Sequence, residues 1–577
     1  MSKSLIHSIR NIIVMLCFIS LKLYGQDRLN GKTFATRSMV IAQHGMVCTS
    51  QPLATIVGID ILKKGGTAID AAIAANAVLG VTESGMNGIG GDLFAIVYDA
   101  NTKKLYGLNS SGRSPYSLTL DEFKKRGLKS IPTSGPLSVS VPGCVDGWFE
   151  LHKKFGKLPM DQLLAPAIGY ARYGFPVANE TAAYFEFNRE NLATNPAVSN
   201  FPNIKELYFP DGSALTEGEI FKNPQLANTL EKISKEGRDG FYKGDIAKTI
   251  DLFMKKMGGF LSYKDLADHT SNWVEPEFTT YRGFKVWELP PNGQGITVLQ
   301  ILNILEPFDM SKVAYGSVEH VHLFTEAVKL AYEDRAKYYA DPDFAKIPVK
   351  SLISKSYGIE RSKLIKKDKA SFGFTSGDSL LSKGETVYLT VADEAGNMIS
   401  LIQSNYSSYG SKLVPDGLGF VLQNRGASFN LREGENNTYA PHKRPFHTII
   451  PAFVTKDDKP FMSFGVMGGP FQPMGHVQIL MNIIDFGMNI QEAGDAPRID
   501  VTGMSEPAGE PKGREFILLE SGFSQQTIQS LMNMGHLFIG YGIPGNFGGY
   551  QCIRFDPVSK VFYGASDPRK DGMAAGY

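Results

Sequence analysis

The sequence predicts an α/β protein, and three observations carry that reading. Two helices between about residues 52 and 81, and a mainly helical region from about 140 to 345, carry apolar residues at helical spacing. From Thr386 onward, paired runs rich in β-branched and aromatic residues are separated by turn signals. Between them, residues 350–384 are polar and resemble a linker. The composition is that of a globular chain, 43% hydrophobic and 20% charged over 577 residues, which excludes collagenous, disordered and disulfide-scaffold classes. A net charge of +1 leaves no basic footprint for nucleic acid.

The first element is a leader. Lys3 and Arg10 precede an apolar run over residues 12–21, and the small Gly25 stands before Gln26. This is the layout of a signal peptide at residues 1–25, and the run is about half of the roughly 20 residues a spanning helix needs. The mature protein is expected to be exported, periplasmic or secreted, and to meet the membrane only if the leader is uncleaved. Cys17 lies in the leader; Cys48, Cys144 and Cys552 form no zinc pattern and at most one disulfide.

A helix opens at Pro52 and runs through Ile61, and Thr67 with Asp70 makes a capping box ahead of AIDAAIAANAVLGV. Gly85, Gly88, Gly90 and Gly91 form a tight loop that leads into the hairpin-like pair LFAIVYD and KLYGLN. Residues from about 140 to 345 read mainly helical, most clearly VEHVHLFTEAVKLAYEDRAKYY at 318–339. After the linker, VYLTVA and MISLIQS flank a DEAGN turn, and FHTIIPAFV and PFMSFGV flank TKDDK. Helices near 473–488 and 525–534 and late strands YQCIRF and VFYGAS complete the chain.

Three motifs fail on their context. Gly540, Gly542 and Gly545 spell GxGxxG, but Pro544 opposes the helix that a dinucleotide fingerprint must open. GLNSSGRS at 107–114 approaches a P-loop but has Arg113 where the phosphate-reaching Lys belongs, so a turn after a strand is expected. His320 and His322 stand two apart on a helix and face different directions, so they do not share an ion; a solvated helix surface is expected. HExxH and GxSxG are absent, and no metal is expected.

The chemistry sits in KGETVYLTVADEAGNMISLIQS. Thr386 heads a strand directly after the linker. If the Glu385–Thr386 bond is cut, Thr386 becomes N-terminal, and its α-amine, titrating near about 7.7–8.0, can take the proton of its own hydroxyl. One residue then supplies both nucleophile and base.

With this block stand GMVCTSQPLATIVGIDILKKGGTAIDAAIAAN, ESGMNGIGGDLFAIVYD, EAVKLAYEDRAKYYADPDF, APHKRPFHTIIP, VMGGP, APRID and GASDPRKDGMAAGY. In these blocks, and in their order, the sequence resembles the γ-glutamyltranspeptidase family of N-terminal nucleophile hydrolases over essentially the whole mature chain. The resemblance implies a four-layer αββα sandwich, formed jointly by a large subunit (26–385) and a small subunit (386–577) of one self-cleaving precursor. It implies Thr386 as nucleophile, Ser404 as a second hydroxyl hydrogen-bonded to it, and Gly468 and Gly469 as the oxyanion hole. Autocleavage would fall between Glu385 and Thr386, and the chemistry requires no cofactor.

Expected substrate contacts depart from the family pattern. Where the family has NNQxxDF, this chain has LQNRGASF, so Arg425 replaces a Gln and Ser428 replaces the Asp that meets the α-ammonium of the glutamyl group. His447 and Thr448 stand where two carboxylate-binding serines are expected, Tyr406 replaces an Asn, and Arg113 is the candidate for the carboxylate-clamping Arg. An Arg prefers carboxylates and repels ammonium. The leading reading is a γ-glutamyl hydrolase or transferase acting on glutathione or related amides. The alternatives are an acylase for other dicarboxylic, glutaryl-type amides and a catalytically silent binding protein on the same scaffold. Whether NLREGENNTYA forms a lid is left open.

Overall fold

A computed structural model describes residues 31–193, 198, 201–371, 384–509, 514–541 and 547–577. The leader, the last part of the linker and most of the GxGxxG motif lie outside the described residues.

Two antiparallel seven-stranded sheets form the centre. In spatial order the first contains Val40–Ala42, Val561–Ser566, Gly549–Asp556, Lys459–Met467, Ala452–Lys456, Phe284–Glu288 and Glu277–Tyr281. The second contains Met573–Gly576, Met46–Thr49, Gly384–Ala392, Met398–Ser407, Asp92–Asp99, Lys104–Ser110 and Asn272–Val274. Each sheet draws strands from both sides of residue 386, so the two expected pieces share one interleaved core.

Side-chain alternation explains the layering. Val387, Leu389 and Val391 point outward into the cluster built by the helices Pro52–Lys63, Ala68–Thr82, Cys144–Phe155 and Met160–Tyr173. Tyr388 and Ala392 from the same strand point inward, where Phe94, Ile402, Phe453 and Ile553 fill the space between the sheets. On the far side Val286, Val454, Phe464 and Val466 meet the helices Gly295–Leu305 and Gln472–Ile484. The result is the expected four-layer αββα sandwich. The Thr67–Asp70 capping box forms as read from the sequence, and no helix among the described residues is long and apolar enough to cross a membrane.

Several expectations are corrected. The supposed linker begins as structure: Val349–Leu352 and Lys355–Ser362 are helical, with Ser354 capping the second. Three strands at Asn272–Val274, Glu277–Tyr281 and Phe284–Glu288 interrupt the region read as helical. In FHTIIPAFV only the end is strand, beginning at Ala452. His320 and His322 are buried, not solvated: His320 accepts the Gly316 N–H at 3.1 Å, while His322 meets His536. Cys48, Cys144 and Cys552 are all buried free thiols.

Candidate active site

Thr386 lies where strand pairing changes step. Glu385 pairs with Tyr406 but Val387 pairs with Gln403, so Ser404 and Asn405 together oppose Thr386. Such a bulge re-aims side chains without breaking the sheet, and Tyr406 leaves it at φ 78°. Thr386 is buried and its Oγ1 has no hydrogen-bond partner. A buried hydroxyl without a partner costs stability, and it leaves the Thr386 oxygen unengaged by any other group.

Ser404 is beside it but is not bonded to it in the uncut chain, contrary to expectation. Its Oγ accepts the Tyr406 N–H at 2.8 Å and Arg425 Nη2 at 3.2 Å. The glycine-rich loop closes from behind: a Cβ on Gly91 would lie 2.4 Å from the Ser404 carbonyl oxygen, so no larger residue fits.

Gly468 and Gly469 end the strand Lys459–Met467 at φ 127° and 57°, conformations that favour glycine. Their turn, Gly469–Phe471, packs against the nucleophile strand, and no described hydrogen bond engages either N–H. Gln294 braces this turn, its Nε2 donating to the carbonyls of Gly469 (3.0 Å) and Thr448 (2.7 Å).

Arg425 forms the opposite wall. Held in the short turn Arg425–Ser428, it is fully buried, donates to Thr448 Oγ1 at 2.9 Å and lies 4.3 Å above the Tyr406 ring. Burial lowers its guanidinium to about 10, against the favourable field of Asp92, so it remains a cation at neutral pH. Ser428 is buried beside it with an unpartnered hydroxyl.

His447 departs from the expected substrate contact. Its Nε2 lies 2.9 Å from Asp92 Oδ2, and burial, with Arg425 next, depresses it to about 4. The ring is a neutral imidazole turned toward Asp92. Asp92 is the organiser that sequence reasoning missed: its Oδ1 accepts the N–H groups of Gly112 (2.9 Å) and Gly143 (3.2 Å) and Gln423 Nε2 (2.9 Å). A carboxylate directly after a glycine-rich loop, at the head of a strand, was the available signal; Gln294, inside PPNGQG, had only its bracketing turn residues. Arg113 follows Gly112, but its guanidinium pairs with Asp343 at 3.4 Å and is not among the groups bonded to Arg425, Ser404 or Thr448. The NLREGENNTYA segment is pinned rather than free, with Asn437 Nδ2 donating to the Ser428 carbonyl at 2.6 Å and Lys443 Nζ to the Asn436 carbonyl at 2.6 Å.

The model of the family described as Gamma-glutamyltranspeptidase matches residues 54–577. The glutathione hydrolase-like YwrD proenzyme of Bacillus subtilis is 36% identical over 95% of this chain and 100% of its own length. The glutathione hydrolase proenzyme of the same organism is 33% identical over 93% of this chain and 92% of its own. Among solved structures, the cephalosporin acylase from Bacillus halodurans superposes with a TM-score of 0.87 at 41% identity, covering 96% of this chain and 99% of that one. The chain belongs to the gamma-glutamyltranspeptidase family of N-terminal nucleophile hydrolases.

Proposed function

We propose that the chain is a self-processing γ-glutamyl hydrolase or transferase that works through an acyl-enzyme on Thr386. The observation that carries this reading is the buried Thr386 hydroxyl, without a hydrogen-bond partner, at a bulge of the strand that packs against the Gly469–Phe471 turn, where no described hydrogen bond engages the Gly468 or Gly469 N–H. The hydroxyl attacks the carbonyl carbon of Glu385; the Thr386 nitrogen leaves as an amine, and water hydrolyses the resulting ester. That step yields a large subunit (26–385) and a small one (386–577) beginning with Thr386. In the mature enzyme the α-amine accepts the Thr386 hydroxyl proton as the oxygen attacks a substrate amide. Gly468 and Gly469 donate to the tetrahedral oxyanion, and the proton passes to the departing amine. Water or an acceptor amine then releases the acyl group. Ser404 stands within the same bulge, directly opposite the nucleophile. The leader composition supports export as part of this proposal.

A denaturing gel with N-terminal sequencing tests the reading. Two bands are expected, the smaller beginning Thr-Val-Tyr; a single uncut band would overturn it.

Arg425 favours a second reading of the acyl pocket, a glutaryl-type acylase. It is a buried cation at the position of a family Gln. Asp92, the carboxylate whose field reaches it, is engaged by His447, Gln423 and two backbone N–H groups. Arg425 and Thr448 suit the distal carboxylate of a five-carbon diacid, while among the described residues Asp92, the acid whose field reaches Arg425, is already engaged and not left to hold an α-ammonium. The cephalosporin acylase likeness supports the same reading. Turnover of glutaryl and γ-glutamyl anilides distinguishes the two: comparable rates support the acylase, and strong preference for the glutamyl compound sinks it.

A further inference from the structure

Outside the Thr386 site, the helix Val318–Tyr338 carries a second group of buried polar side chains. His322 and Glu326 stand four residues apart and so share one face. His536, three residues past the helix Gln525–Asn533, approaches that face from a distant part of the chain. All three are buried, and one ligand-capable atom from each lies within 4.8 Å of the other two. His322 Nδ1 and His536 Nε2 are 2.8 Å apart.

The surroundings fix how these atoms point. His322 Nε2 lies 2.7 Å from the Lys366 carbonyl. A carbonyl only accepts, so Nε2 carries the proton and Nδ1 presents its lone pair to the cluster. An imidazole anchored through its far N–H to a backbone carbonyl is how metal-ligating histidines are oriented. Glu326 is anchored likewise, with its Oε2 accepting the Ser371 N–H at 3.1 Å. Oε1 meets the buried ammonium of Lys329 at 2.7 Å, the group a metal must displace. A second acid is at hand for that ammonium: Glu515 has a buried, unpartnered Oε2 and feels the Lys329 charge.

We propose that His322, Glu326 and His536 form a binding site for a divalent transition ion of the zinc type. Two imidazoles and one carboxylate are the donor set such ions favour. The site joins a helix that precedes residue 386 to a turn that follows it, so an ion there clamps the two parts together whether or not the chain is cut. His320 takes no part, since its ring faces Gly316 and Phe486.

The test uses the full-length protein, stripped with a chelator and titrated with Zn²⁺ against a chromophoric competitor and with Co²⁺ by visible absorption. One equivalent per chain and the intense d–d bands of low-coordinate Co²⁺ are expected, both lost in the His322→Gln/His536→Gln double variant. Lys329→Met, which removes the competing ammonium, is expected to tighten zinc binding by about tenfold or more. Wild-type protein without the Co²⁺ bands, or uptake unchanged in the double variant, overturns the proposal. If the double variant fails to fold, the wild-type stoichiometry and spectrum and the Lys329→Met shift decide. None of these readouts depends on turnover or self-cleavage, so failure here is distinct from failure of the proposed function.

Discussion

One wall of the Thr386 site is made of backbone: the Ser404–Asn405 bulge opposite Thr386, Gly91 pressed on the Ser404 carbonyl, and the left-handed Gly468–Gly469 turn. The opposite wall is made of buried side chains, Arg425 over Tyr406, Thr448, and His447 on Asp92. In the proposed mechanism the first wall sets where a carbonyl carbon and its oxyanion sit, and its glycines tolerate almost no substitution because a Cβ on Gly91 would strike the Ser404 carbonyl and Gly468 and Gly469 lie at positive φ. In the proposed reading the second selects the acyl group, and it does so through side chains, with Arg425 touching the bulge at the Ser404 hydroxyl.

The comparison is broken most completely at the nucleophile. Thr386→Ala removes the attacking oxygen together with one methyl group, and both self-cleavage and turnover are expected to vanish together, read by gel and by release of anilide. Residual cutting would mean that another group attacks the Glu385 carbonyl. Next in size is Gly468→Ala. The new Cβ would meet Gly548 Cα at 3.2 Å and the residue would be held at φ 127°, so the turn must shift. Loss of one oxyanion donor is expected to lower kcat by about 10²–10³-fold, with KM changed far less.

Arg425→Gln sharpens the contrast, because it alters the side-chain wall alone. Removing one charge-assisted anchor costs about 1.5–3 kcal/mol, about 10–100-fold in kcat/KM for acyl groups carrying a distal carboxylate. Self-cleavage is expected to continue, since Glu385 does not need that anchor. If cutting stops with turnover, the two walls are not separable and the division drawn above is wrong.

Legibility in the sequence follows the same line. Features set by local spacing were readable: the Thr67–Asp70 cap, the hairpin around DEAGN, and Thr386 at a strand head. Features set by distant partners were not. His447 turns to Asp92 355 residues away, and His322 meets His536 across 214 residues. No window contains both members of either pair. The misread linker has a different cause: Leu352, Ile353 and Ile365 bury themselves from a run that is otherwise polar, too few apolar residues to show a period.

The smallest effect is on stability and probes the side-chain wall at rest. His447 is held at about 4 against an ordinary 6.5, first by burial and then by Arg425. Its folded value lies below its unfolded one, so between them the unfolded chain binds more protons and stability rises with pH. The contribution of a neutral His447 is therefore complete above about pH 6.5 and is lost as pH falls toward 4, at no more than about 1.4 kcal/mol per pH unit. Other buried groups titrate in the same range, so the useful quantity is a difference: melting of wild type minus melting of His447→Gln, followed from about pH 7 to about pH 5. That difference is expected to shift against the wild type on acidification, and to shift less when Arg425→Gln is present in both proteins, because one of the three causes that lower the ring, burial, Arg425 and Arg444, has been removed. A difference independent of pH would mean that His447 is not the buried neutral ring that holds Asp92, and that the wall beside Arg425 is open to water.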